Sequence, residues 1–305
     1  MKRLRDGLAS RHAVVVARAA SVAADLGMAT LADELIAAFD RLVSAGPSAD
    51  LACLGKTAIV RALDDLGHAD TRILLRGVHF VQRDQRRRPP GRDTAGELRA
   101  VSAVALLRIG YPDALSEIAE LLADPDPGVR LEVARALGAT EMELAAPLLR
   151  LKALVGDDEP QVVAECLTGV LRVSPSSARP FFERLLDGAD PAFAKAVALA
   201  AGESRAGVAF EILRAWWGRV TLPDTRRTAL LAIAMLRSES AIEFLIGIVA
   251  QGNGFDARDA LAALGLYRDD ERTRTRVLAA AAQNDADLRA ALREFEQGRR
   301  PQDSD

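Results

Sequence analysis

The sequence predicts an all-α fold, a right-handed α-solenoid of about eight stacked helix pairs, and three observations carry that expectation. Apolar residues recur at the i, i+3, i+4, i+7 spacing of helices with one buried face. Apolar helices close repeatedly on glycine, at Leu26-Gly27, Leu66-Gly67, Ile109-Gly110, Leu137-Gly138, Ala201-Gly202 and Leu264-Gly265. Breakers rich in Pro, Gly and Asp separate paired helices, at Ala45-Gly46-Pro47-Ser48, Gly156-Asp157-Asp158-Glu159-Pro160, Gly188-Ala189-Asp190-Pro191 and Leu222-Pro223-Asp224. The glycine endings are 40, 43, 28, 64 and 63 residues apart, and weaker endings at Val173-Ser174 and Leu236-Arg237 divide the last two intervals. Spacings of this size belong to helix–turn–helix arrays, in which each unit buries its apolar face against the next. Heptads are not sustained, which disfavours a long coiled coil.

Composition agrees. Hydrophobic residues make up 50% of the 305, but aromatics only 4%, so the core is expected to be thin, helical and rich in Ala and Leu. No apolar stretch reaches about 18 residues, so no transmembrane helix is expected. The basic start Met1-Lys2-Arg3 is not followed by the long apolar run of a signal peptide. Two distant cysteines, Cys53 and Cys166, suit a reducing, cytoplasmic setting.

Along the chain, residues 1–27 read as a half-unit. The clearest full unit is 111–140. Its first helix carries Leu115, Ile118, Ala119 and Leu122 on one stripe. Asp124-Pro125-Asp126-Pro127-Gly128 breaks that helix and caps the next, since proline suits a first turn and Asp accepts from free N–H groups. Val129, Val133, Ala136 and Leu137 form the second stripe. In a helix over 50–66, Ala52, Gly55, Ile59, Ala62, Leu63 and Leu66 share the core face, leaving Asp50, Cys53, Lys56, Thr57, Arg61 and Asp64 opposite. Gln161, Glu165, Thr168 and Arg172 make a similar polar stripe later. Residues 82–93 lengthen one turn and include Arg86, Arg87 and Arg88. Trp216 and Trp217 are adjacent on a helix, so they cannot both face the core; packing under a covering arginine is expected. Asp285–Gln297 is suited to cap the array, and 299–305 is a polar tail. On this reading 1–305 is a single array.

The string Asp124-Pro125-Asp126-Pro127-Gly128-Val129-Arg130, followed by Ala134-Arg135-Ala136-Leu137-Gly138, resembles a HEAT repeat, and Cys53–Leu63 is similar to uncharacterised bacterial HEAT-repeat proteins. The resemblance implies that the second helix of each pair lines a concave, partner-binding surface. It implies architecture rather than chemistry.

No catalytic, cofactor-binding or metal-ligating set is expected. The three histidines (His12, His68, His79) form no metal-binding spacing. Gly55-Lys56-Thr57 lacks the upstream glycine of a phosphate-binding loop, since Asp50 stands there. Charge is uneven: residues 1–110 hold 17 Lys/Arg against 12 Asp/Glu, and 111–202 hold 8 against 15. The function expected is therefore a non-enzymatic protein–protein scaffold or adaptor. Its expected site is Lys56, Arg61 and Arg99, with Arg86, Arg87 and Arg88 at the edge, meeting a partner that bears an acidic segment. Two alternatives are a nucleic-acid-binding relative of HEAT-like alkylpurine DNA glycosylases and a bilin-lyase-like subunit. The acidic middle disfavours nucleic acid.

Overall fold

A computed structural model describes residues 1–83, 93–188, 190–284 and 288–297. Arg86, Arg87 and Arg88 lie outside the described residues. By contacts the chain divides into two compact units, 1–140 and 141–305. Among the described residues there is no strand; Arg83 and Asp93 form one isolated antiparallel bridge.

Unit 1 contains α1 (Lys2–Leu8), α2 (Ala13–Asp25), α3 (Ala32–Ser44), α4 (Leu54–Asp65), α5 (Thr71–Val78), α6 (Gly96–Arg108), α7 (Ala114–Ala119) and α8 (Pro127–Gly138). Even helices stack in one row, α2 on α4, α4 on α6 and α6 on α8, while α1, α3 and α5 each pack on the even helix that follows. Unit 2 repeats the plan with α9 (Ala146–Val155), α10 (Pro160–Val173), α11 (Pro175–Leu186), α12 (Pro191–Ser204), α13 (Gly207–Arg219), α14 (Pro223–Met235), α15 (Glu239–Gln251), α16 (Gly254–Leu264), α17 (Glu271–Ala281) and α18 (Arg289–Gln297). There α10, α12, α14, α16 and α18 form the even row. The fold is all-α, a solenoid of stacked helix pairs within each unit.

Local chemistry sets the helix starts. Asp70, Asp126, Asp190, Ser238, Asn253 and Asp270 each accept a hydrogen bond from an N–H in the first turn that follows. Gly27, Gly67 and Gly110 take the left-handed conformation that ends a helix. Gly202 does not: α12 runs on to Ser204, and Arg205 is the left-handed residue. A Cβ at Gly202 would lie 2.4 Å from the Ala232 carbonyl oxygen, so this glycine is required by the close approach of α12 to α14. The clearest sequence unit keeps its phase, with Ile118, Leu122, Val129, Val133 and Leu137 all buried. Its first helix tightens to a 3-10 turn over Glu120–Ala123.

The segment before α4 departs from expectation. Ala52 and Cys53 adopt φ of 54° and 55°, so no continuous helix spans 50–66. The break turns Asp50 back over the start of α4 and takes residues 50–53 out of the helical phase assumed across 50–66, whereas Gly55, Ile59, Ala62 and Leu63 keep it and are buried. With α2 and α6 beside it and α3 packed on it, α4 is buried almost all round. Its open positions are Leu54, Ala58, Arg61 and Asp65, a stripe at helical spacing, with Asp64 half-buried beside it.

Candidate functional site

The even helices α4, α6 and α8 leave a groove of about 520 Å³ in unit 1. Arg61, Asp64 and Asp65 come from α4; Glu97, Ala100, Val101, Val104 and Arg108 from α6; Asp126, Val129 and Glu132 from the turn before α8 and from α8 itself. Ala100, Val101, Val104 and Val129 supply apolar surface between charged flanks. Arg61 pairs with Glu97 at 2.8 Å, both more than half exposed. Arg108 pairs with Asp64, whose other carboxylate oxygen is buried without a hydrogen-bond partner among the described residues. Burial pushes the Asp64 carboxyl above its usual range, against the opposing pull of Arg108. The lining therefore holds five carboxylates and two arginines.

Of the sequence candidates, Arg61 is exposed on the groove wall. Lys56 and Arg99 are not, and this corrects the expectation that they line an open face. Lys56 is 0% exposed and Arg99 5%. The Asp50 carboxylate accepts from the Gly55 N–H at 2.8 Å, the Lys56 N–H at 3.0 Å and Lys56 Nζ at 2.8 Å. The ammonium also sits 5.3 Å from the Phe80 ring centre.

Arg99 is held from two sides. Its Nε and Nη2 donate to both Asp124 oxygens, at 2.7 and 2.9 Å. Its Nη1 donates to Asp93 and to the Phe80 carbonyl. Burial opposes ionisation of Asp93, but the Gln82 and Ala95 N–H groups and the Arg99 guanidinium outweigh it and hold the carboxyl below its usual range. Gln82 extends the network by donating from Nε2 to the Asp50 carbonyl at 2.8 Å. The base of the long α5–α6 turn is thus pinned to the starts of α4 and α6 and to the turn before α8. The charges belong to this internal frame rather than to a surface that a partner could reach.

The remaining sequence candidates resolve as follows. Gln161 and Arg172 are exposed and Glu165 half-buried, but Thr168 is buried and donates to the Ala200 carbonyl at 3.2 Å. Trp216 is buried and donates from Nε1 to the Leu186 carbonyl at 3.1 Å. Trp217 is half-buried, with the Arg226 guanidinium 4.4 Å from its ring centre, as the covering-arginine expectation has it. Cys53 and Cys166 are free and buried, and burial pushes both thiols up to about 12. Among the described residues no His, Cys, Asp and Glu cluster could hold a metal ion.

Sequence reasoning misses Asp65, Glu97, Val101, Val104 and Glu132 as members of one groove. The available signal is the file Glu97, Val101, Val104 and Arg108 on α6, masked because Leu98, Ala100, Ala103, Ala105 and Leu106 spread apolar residues over most of the helix.

Among the described residues no helix is long and apolar enough to cross a membrane. No curated protein matches the chain. Residues 92–168 match the family model of HEAT repeats, which generally mediate protein–protein interaction. The match makes residues 92–168 similar to HEAT repeats, and the stacked helix pairs agree with that likeness.

Proposed function

We propose that the chain is a non-enzymatic scaffold or adaptor that docks a partner protein in the α4–α6–α8 groove of unit 1. One observation carries this reading: an open groove of about 520 Å³, with Val101 and Val104 between charged flanks. Apolar surface of that kind rewards burial, and polar flanks fix orientation. The rest of unit 1 supports the role, because the buried Lys56 and Arg99 networks fix the turns that position the groove walls. The two buried free thiols fit a reducing, cytoplasmic compartment. Nucleic acid draws no support here, since carboxylates outnumber arginines in the lining and would repel phosphate.

The test compares affinity capture from the source organism by the wild-type chain and by Val104→Trp, which fills the groove. A direct partner should be retained by the first and lost by the second, and the loss should recur with the purified pair. Capture unaffected by Val104→Trp would remove the groove from the proposal.

A further inference from the structure

We infer that the groove of unit 1 takes a cationic segment, a short stretch bearing Lys or Arg beside apolar residues. The inference rests on the docking role proposed above and specifies its ligand chemistry.

The argument begins with which charges are already matched. Arg61 faces Glu97 at 2.8 Å, and Arg108 faces Asp64. Both arginines of the lining are thereby neutralised by carboxylates of the same lining. Of the other three carboxylates, Asp126 is committed to capping the start of α8. Glu132 meets Arg135 at 2.8 Å, an exposed pair one turn along its own helix, which solvent screens strongly. Asp65 is exposed and has no ion pair among the described residues. Lys56 and Arg99, which the sequence reading also sets on this face, are turned inward and held by Asp50, Asp93 and Asp124. An anionic partner would therefore have to displace Glu97 or Asp64 before reaching an arginine. A cationic one meets an existing excess of negative charge over an apolar floor.

Geometry agrees with the charge count. Asp65 and Glu132 stand on opposite walls, on α4 and α8, with Val101 and Val104 of α6 between them. A segment lying in the groove would bury apolar groups against α6 while its ammonium or guanidinium groups reach either wall. Long cationic side chains suit this, because their methylene stems cover apolar surface while their heads stay near water. Attraction of this kind favours fast, salt-sensitive association and discriminates by sign.

The experiment uses the full chain and three synthetic peptides of equal length and equal Leu content, with Lys, Gln or Glu at the polar positions, read by fluorescence anisotropy. The Lys peptide should bind at least about tenfold more tightly than the Glu peptide. That preference should shrink in high salt and collapse in Asp65→Lys/Glu132→Lys. Val104→Trp should weaken the Lys peptide, with circular dichroism melts confirming that each variant is folded. Equal or tighter binding of the Glu peptide overturns the inference, as does a Lys preference that survives the double charge reversal. Weakening of all three peptides by Val104→Trp, without any preference for Lys, would leave the docking groove standing and refute only its charge selectivity. A Lys preference untouched by Val104→Trp would sink both, because the cationic site would then lie elsewhere.

Discussion

Arg99 in unit 1 and Arg226 in unit 2 perform the same task in different surroundings. Each stands in the first turns of an even helix, donates to a backbone carbonyl of the preceding segment, and grips both oxygens of an Asp before or in the next even helix. For Arg99 these are Phe80 and Asp124; for Arg226 they are Trp217, Val220 and Asp256. Arg99 and Asp124 are 6% and 4% exposed at the side chain, whereas Arg226 and Asp256 are 22% and 15% exposed. Unit 1 compensates for its loss of water with a second carboxylate, Asp93; unit 2 does so with the face of Trp217. The difference teaches that one pinning device can be built dry and fully ionic or half-wet and aromatic. The cost of breaking it should differ accordingly.

The largest effect is expected for Arg99→Leu. It strands Asp93 and Asp124, and loss of one partner from a buried ionic set costs about 3–5 kcal/mol. A urea melt followed by circular dichroism checks this. On the same grounds Lys56→Glu combined with Arg99→Glu should unfold unit 1 rather than act as a silent surface change. Next comes Val133→Asp, which puts an unpaired carboxylate at a position 0% exposed and should cost about 3 kcal/mol or more. Arg135→Asp, on the exposed side of the same helix, should cost within about 0.5 kcal/mol plus the weak pair to Glu132. Equal midpoints for these two would show the phase of α8 to be wrong.

Arg226→Leu should cost less than Arg99→Leu, about 1–2 kcal/mol, because water can reach Asp256 and the stacking contribution is modest. Both tryptophans lie in unit 2, so their emission should shift in Arg226→Leu and stay unchanged in the folded Arg99→Leu chain. If Arg226→Leu proves as damaging as Arg99→Leu, solvent access is not what separates the two regions.

The smallest effect is a pH dependence. The Asp93 carboxyl is held below its usual range, so its contribution is complete above the unfolded value of about 4 and is lost as pH falls through the lower folded value. Asp64, raised by burial, acts with the opposite sign, favouring the folded state on the acid side. Stability curves of wild type and Asp93→Asn should therefore converge in acid, the difference isolating Asp93. Parallel curves would deny it that role.

What can be read from sequence divides along the same physical line. Turns are local: Asp126 with Pro127 and Asp190 with Pro191 carry their caps within a few residues, and both sit where pattern reading puts a helix start. Ile118, Val129, Val133 and Leu137 obey the helical period because apolar burial needs no specific partner. Lys56 and Arg99 escape because a polar residue opposite one apolar stripe reads as solvated. Their true surroundings come from Asp50, Asp93 and Asp124, and Asp124 is 25 residues beyond Arg99. The left-handed pair Ala52 and Cys53 carries no sequence signal, since neither residue type favours that conformation. The groove escapes for the same reason as Lys56 and Arg99: Arg61, Glu97, Val104 and Glu132 come from three helices far apart in sequence.

The single open stripe on each of α4 and α6 also works as a ruler. Leu54, Ala58, Arg61 and Asp65 on α4, and Glu97, Val101, Val104 and Arg108 on α6, are three or four residues apart, or about 5–6 Å along the axis. Neighbouring packed helices lie about 8–10 Å apart. An extended chain advances about 3.3 Å per residue. A strand-like partner crossing from α4 over α6 to α8 would thus meet a new stripe about every third residue. A helical partner lying along the groove would instead match its own turn to the spacing within one stripe. The periodicity of the residues that matter in a bound segment would therefore report both its conformation and its heading across the helix row.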